Sequence, residues 1–346
     1  MTDKTVIGKK ISPVVIVFLG LLAAIAPLST DMYLPALPSM TDNFNVSSSM
    51  VQLTLTGSLV GMAVGQLFAG PLSDIFGRKP PLIASMLIFS LATAGCFLSD
   101  SIYPFLCFRL LQGFFGGAGI VIARAVVRDI ASGPELMKLF SMLMLVNGLA
   151  PVAAPVIGGQ ILRFFSWRGV FALLFIIAVG LTVGSLIFKE TLKTTRKGGL
   201  KKSLIMYRIL MRDTYFMGHC IMQCFAFAAF FAYIAGSSFL FQNMYHLSAQ
   251  AYSYLFGING IGLWLTGLLV SRLAGHAEDW KILRCALILA FAGSIVLFLG
   301  LFFQVSVVFI AVVLFVTVST LSAMGASSFS LAMAAHGKAA GGGRHD

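Results

Sequence analysis

Two charged residues stand inside otherwise apolar stretches: Asp31 in the first and Arg109 in the fourth. An ionisable side chain at membrane depth costs about 2.5–3.5 kcal/mol on insertion scales, so each asks for a partner or a function. A carboxylate whose pKa moves with solvent access and with a nearby cation can take up and release a proton. Asp31 is the best-placed carboxylate for that chemistry, and Arg109 is the cation. Each lies about 7–10 Å, at the helical rise per residue, from whichever end of its stretch reaches the same, periplasmic side of the membrane, so one cavity could hold both. The competing reading leaves Asp31 in interfacial water and makes Arg109 a packing anchor. Tyr33, Gln112 and Asn259 are polar positions that could touch a substrate. His219, alone at the entry of the seventh stretch, reads as structural, and Arg124 lies close enough to the basic surface to snorkel.

These residues need helices to hold them. Of 346 residues, 58% are hydrophobic and 10% charged, against about 25% charged in a soluble domain. Apolar runs fall near 11–36, 50–70, 80–98, 102–124, 138–162, 168–188, 215–241, 250–271, 281–303 and 305–333. Each is long enough to span a bilayer, which predicts an all-α polytopic membrane protein. The first run is too long, and lacks the small-residue pattern, for a cleavable signal.

The net charge of +12 would suggest a nucleic-acid partner in a soluble chain. Here Lys4, Lys9, Lys10, Arg78, Lys79, Arg128, Lys138, Arg272, Lys281 and Arg284 fall on one side of the runs, while the other side holds Arg163 and Arg168. That asymmetry reports orientation, with both termini cytoplasmic, and argues against nucleic acid. Cys96, Cys107, Cys220, Cys224 and Cys285 lie in or beside apolar runs, where cysteine acts as a small hydrophobe. No metal, cofactor or enzymatic nucleophile is expected, and no phosphate-binding Gly-Lys-Ser/Thr loop for ATP-driven transport is found.

The one long, strongly charged break is 189–214, with six runs before it and four after. It divides the chain into a six-helix bundle (1–188), a basic cytoplasmic linker (189–214) and a four-helix partial bundle (215–346). Two related six-helix halves joined by a basic loop is a transporter layout.

Three motifs occupy the first part. Gly70-Pro-Leu-Ser-Asp74-Ile-Phe-Gly77-Arg78-Lys79 connects runs two and three: its glycines permit a tight turn, Asp74 can pair with a cation, and Arg78 and Lys79 anchor a cytoplasmic face. Arg109, Gln112, Gly113 and Gly116 lie on one helix face. In run five Asn147, Pro151, Pro155 and Gly159 are spaced by four, with Gly158 beside them, so prolines free backbone carbonyls on a face that small residues keep narrow.

In order and spacing the three resemble the signature loop, the Arg-x-x-Gln-Gly motif and the antiporter motif of the major facilitator superfamily. Thr30-Asp31-Met-Tyr33-Leu-Pro35, Ala123-Arg124 through Arg128-Asp129, Trp167-Arg168, Glu190-Thr191-Leu192 and Phe231 through Phe239 look like its Bcr/CflA drug-resistance branch. One departure is Ser238, where that branch commonly has a proline. The resemblance runs from about residue 11 to 341. It implies a proton-coupled antiporter of the inner membrane that exports amphipathic drugs of the bicyclomycin or chloramphenicol kind. Its partners are then a small drug molecule, protons and the bilayer.

Two alternatives remain: a small-solute symporter, against which the proline and glycine pattern of run five argues by resemblance, and a non-transporting remnant or interaction protein. After Gly341 the sequence runs only to Asp346, where the family it resembles has two further spans. That leads us to expect a truncated chain with impaired transport, monomeric unless the uncovered helices pair with another subunit.

Overall fold

The computed structural model describes residues 12–192, 211–273 and 276–341. Lys4, Lys9, Lys10, most of the expected basic linker (193–210) and residues 342–346 lie outside the described residues. The helices are α1 (Pro13–Asp31), α2 (Leu37–Phe44), α3 (Ser48–Phe76), α4 (Lys79–Leu98), α5 (Ile102–Ile130) and α6 (Gly133–Ile161). They continue with α7 (Trp167–Ile187), α8 (Thr214–Phe239), α9 (Ala249–Leu273), α10 (Asp279–Phe302) and α11 (Val307–Gly341). Among the described residues ten helical segments are long and apolar enough to cross a membrane; the first is the bent run Pro13–Phe44, formed by α1 and α2. The chain is a multi-pass membrane protein.

Local chemistry sets several boundaries. The first run breaks at a 3-10 turn, Leu34–Ala36, because Pro35 and Pro38 cannot donate the amide bonds that would continue α1. Helix α2 ends at Asn45 in the left-handed conformation, a common stop. Helix α4 carries prolines in its first turn, where no amide is needed. At the start of α8, Asp213 accepts from the Phe216 amide at 2.9 Å as its N-cap. Past Phe239, α8 widens into a π turn over Leu240–Met244.

The chain divides into two compact units. One comprises 1–30, 53–150 and 171–197; the other comprises 31–52, 151–170 and 198–346. The boundaries on the first and fifth spans fall at Asp31 and Pro151, where the helices are interrupted or carry proline. The first unit's core gathers Leu22, Met86, Phe89, Ile122, Val126 and Leu181 from α1, α4, α5 and α7. A Cβ on Gly113 of α5 would overlap the Ser58 carbonyl of α3, so these two helices touch backbone to backbone. In the second unit α11 packs on α8, α9 and α10, around Ala226, Ala286, Ala323 and Met324.

Candidate functional site

The loop between α3 and α4 folds around one guanidinium. Arg78 is buried; its Nε donates to Asp129 at 2.7 Å, and its Nη1 donates to Asp74 at 2.6 Å and to Ser73 Oγ at 2.8 Å. Burial alone would lower the Arg78 pKa, but the bonds to Asp129 and Asp74 outweigh it and hold the pKa above the ordinary value. Gly77 turns the chain with φ of 89°, a conformation natural to glycine. A Cβ there would also meet Glu190 Oε2 at 2.6 Å.

Glu190 closes the loop from the other side. Its carboxylate accepts from the amides of Arg78 and Lys79, each at 2.9 Å, and from those of Thr191 and Leu192 at the same distance. It therefore caps the N-terminus of α4, where unpaired amides and the helix dipole favour an anion. Its partial burial works to raise its pKa, but the four amide bonds prevail and lower it. The sequence showed Glu190 and Asp129 only as parts of the resemblance. Their roles as helix cap and arginine partner depend on contacts 112 and 51 residues apart.

Deeper in the same unit, Arg109 is fully buried. Its Nη1 donates to the Ser29 carbonyl at 3.0 Å and to Gln112 Oε1, and its guanidinium lies 5.8 Å from the Phe171 ring centre. Ser29 belongs to the last turn of α1, whose carbonyls lack intrahelical partners and carry the negative end of the dipole. Arg109 thus caps α1 just before Asp31. Gln112, also fully buried, passes the bonding on: its Nε2 donates to Thr93 Oγ1 at 2.8 Å, and Thr93 donates to the Phe89 carbonyl at 2.7 Å. Gln112 is thus occupied in holding Arg109.

In the second unit Asp31 is 7% exposed and Tyr33 is fully buried. Asp31 lies within electrostatic reach of the Tyr233 and Tyr252 hydroxyls. Asn259 donates to Tyr233 Oη at 2.7 Å, and Ser237 shares a 3.0 Å bond with Tyr252 Oη. Among the described residues Asn259 and Tyr254 bring polar groups to a groove of about 670 Å³ whose lining, including Phe241, Ile258, Val308 and Phe315, is otherwise largely apolar. An apolar wall with a few polar groups suits an amphipathic molecule.

The motif of the fifth span lies in α6. Pro151 and Pro155 are inside the helix and each removes an i to i−4 bond. A Cβ on Gly158 would overlap the Met32 carbonyl, and one on Gly159 would overlap Ser253 Oγ. Gln250 Nε2 donates to the Gly159 carbonyl at 3.1 Å. The Asn147 side chain lies outside the described residues. His219 shares a 3.1 Å bond with Ser328 and packs edge-on to Tyr215.

Residues 19–343 match the family model described as Major Facilitator Superfamily. An uncharacterized MFS-type transporter of Bacillus subtilis (strain 168), YdgK, is 37% identical over 328 residues, covering 93% of this chain and 82% of its own length. A bicyclomycin resistance protein homolog of Haemophilus influenzae is 33% identical over 289 residues, covering 82% of this chain and 72% of its own. Among solved structures, that of a D-xylose-proton symporter shares the fold, with a TM-score of 0.72 over 92% of this chain and 85% of its own, at 16% identity.

Proposed function

Because the chain belongs to the major facilitator superfamily, a family of membrane transporters and not of enzymes, we propose that it exports amphipathic drugs across the inner membrane in exchange for protons, by alternating access. The observation that carries this reading is Asp31, a carboxylate only 7% exposed, at the end of a membrane helix. A buried carboxylate changes proton affinity when water reaches it or a charge moves, and that is what coupling requires.

In this reading Asp31 carries the proton, and Arg109 biases it through the capped end of α1. Gln112 acts through Arg109, while Tyr33 and Asn259 contact the drug. The loop of Gly70, Asp74, Gly77, Arg78 and Lys79 gates the basic end, and Pro151, Pro155, Gly158 and Gly159 let the fifth span flex against its neighbours. Both termini are cytoplasmic, and bundles 1–188 and 215–346 are joined by the linker 189–214. The drug-resistance name of the Haemophilus relative supports the substrate class.

The test is drug-stimulated proton movement in inverted membrane vesicles carrying the full chain, run over a panel of amphipathic antibiotics and over sugars. Proton release on adding an antibiotic supports the reading. Sugar-driven proton uptake, with no response to any antibiotic, would replace it with symport.

A further inference from the structure

The break in the first span leaves carbonyl groups that a continuous helix would have used. Pro38 has no amide to offer Leu34, and the Leu34 carbonyl accepts from the Leu37 amide in a tight 3-10 bond. A carbonyl oxygen has a second lone pair, and here span seven takes it up. Ser238 Oγ, fully buried, donates to the Leu34 carbonyl at 2.7 Å. One helical turn on, Gln242 Nε2 donates to the Pro35 carbonyl at 3.0 Å and to Ser238 Oγ at 2.8 Å. The amide, the hydroxyl and the carbonyl thus form a donor chain in which each bond polarises the next.

Two further features single out this contact. Gln242 sits within the π turn Leu240–Met244, a departure from α geometry that is frequent at functional positions. Gln52 Nε2 of α3 donates to the Ala235 carbonyl at 3.2 Å, three residues before Ser238. Each of these bonds joins a neutral side chain to a backbone oxygen or another neutral group, so separation leaves no unpaired charge behind. Groups joined this way can part and rejoin at small expense.

The geometry points to Ser238 and Gln242 as positioning residues: a hydrogen-bonded latch on span seven that holds the broken end of span one, just beyond Asp31 and Tyr33, and whose release opens that end of the protein. This rests on the transport reading, in which the latch closes the side opposite the basic loops. It assigns these two side chains to the transition between access states, whereas Asp31 serves coupling. Loss of one neutral bond is expected to shift the closed-to-open equilibrium roughly three- to tenfold.

The test places a cysteine at Ala36, a buried position inside the break, in the full chain reconstituted in nanodiscs. The readout is the labelling rate by a water-soluble maleimide above that of the parent chain with its native cysteines. Ser238→Ala and Gln242→Leu should each speed labelling of the Ala36→Cys chain several-fold. Ser238→Thr, which keeps the hydroxyl, should return it to the rate of the chain carrying Ala36→Cys alone. Equal rates in all variants, or Ser238→Thr behaving as Ser238→Ala at matched thermal stability, would overturn the latch. The assay needs neither drug nor proton gradient, so an intact latch response with no drug transport would count against the transport reading alone.

Discussion

The loop between α3 and α4 and the break in the first span are both places where the chain turns out of a membrane helix, but they are held by opposite chemistry. At the loop, Arg78 is clasped by Asp74 and Asp129, and Glu190 binds four amides. At the break, Ser238 and Gln242 bind carbonyls with no formal charge. Charge-assisted bonds are about twice as strong as neutral ones, and separating them strands a charge. The loop is therefore built to stay joined until something replaces its partners, whereas the break is built to exchange readily. A protein that opens alternately at two ends can use one stiff tie and one labile tie to set which state it rests in.

The largest effect that this contrast predicts comes from Arg78→Ala. It leaves two carboxylates facing each other without their cation, and should destabilise the chain by about 2–3 kcal/mol. Thermal unfolding in detergent would measure this. Adding Asp129→Asn should restore part of the loss, because one stranded charge is then removed. If Arg78→Ala proved no more harmful than Ser238→Ala, the stiff-and-labile distinction would collapse.

Gln112→Ala is expected to rank second, at about 1–2 kcal/mol, since it takes one acceptor from the buried Arg109 and one donor from Thr93. Its unfolding temperature should fall at every pH where the fold survives, because the side chain removed is an uncharged amide.

Glu190→Gln should have the smallest effect and one that depends on pH. The folded pKa of Glu190 is depressed, so its contribution is full above the unfolded carboxylate value of about 4.3 and disappears as pH falls through the folded one. The unfolding temperatures of parent and variant should differ at neutral pH and converge below about pH 4. A difference unchanged down to pH 3 would mean that hydrogen-bond geometry, not charge, makes the cap.

The ten spans could be read from the sequence because an apolar run of bilayer length is a local signal. The shared face of Arg109, Gln112 and Gly113 could be read for the same reason, being set by helical periodicity. The break at Leu34–Ala36 fell inside the end of the first apolar run, where Pro35 and Pro38 marked it without showing how the chain resumes as α2. Ser238 stood out only as a departure from the family's proline. Its bond to Leu34 joins residues 204 apart through a backbone oxygen, and such a bond leaves no spacing for a sequence to display. The π turn that follows Phe239 was equally hidden, since π and α turns use the same residue types. The sequence offers Arg109 as a cation for Asp31; its bond to the Ser29 carbonyl is a contact that the sequence does not display. A helix end that requires capping can be read from a sequence only once its end is known.

The central claim is that Asp31 carries the proton that drug export exchanges for. The most direct measurement compares the chain with Asp31→Asn in proteoliposomes under an imposed pH gradient, following drug and proton together. The amide keeps the size of the carboxyl group and removes its titration, so the account predicts that gradient-driven drug movement and drug-stimulated proton flux both disappear in the variant, while drug binding to the purified protein persists. Undiminished drug and proton exchange by Asp31→Asn would contradict it.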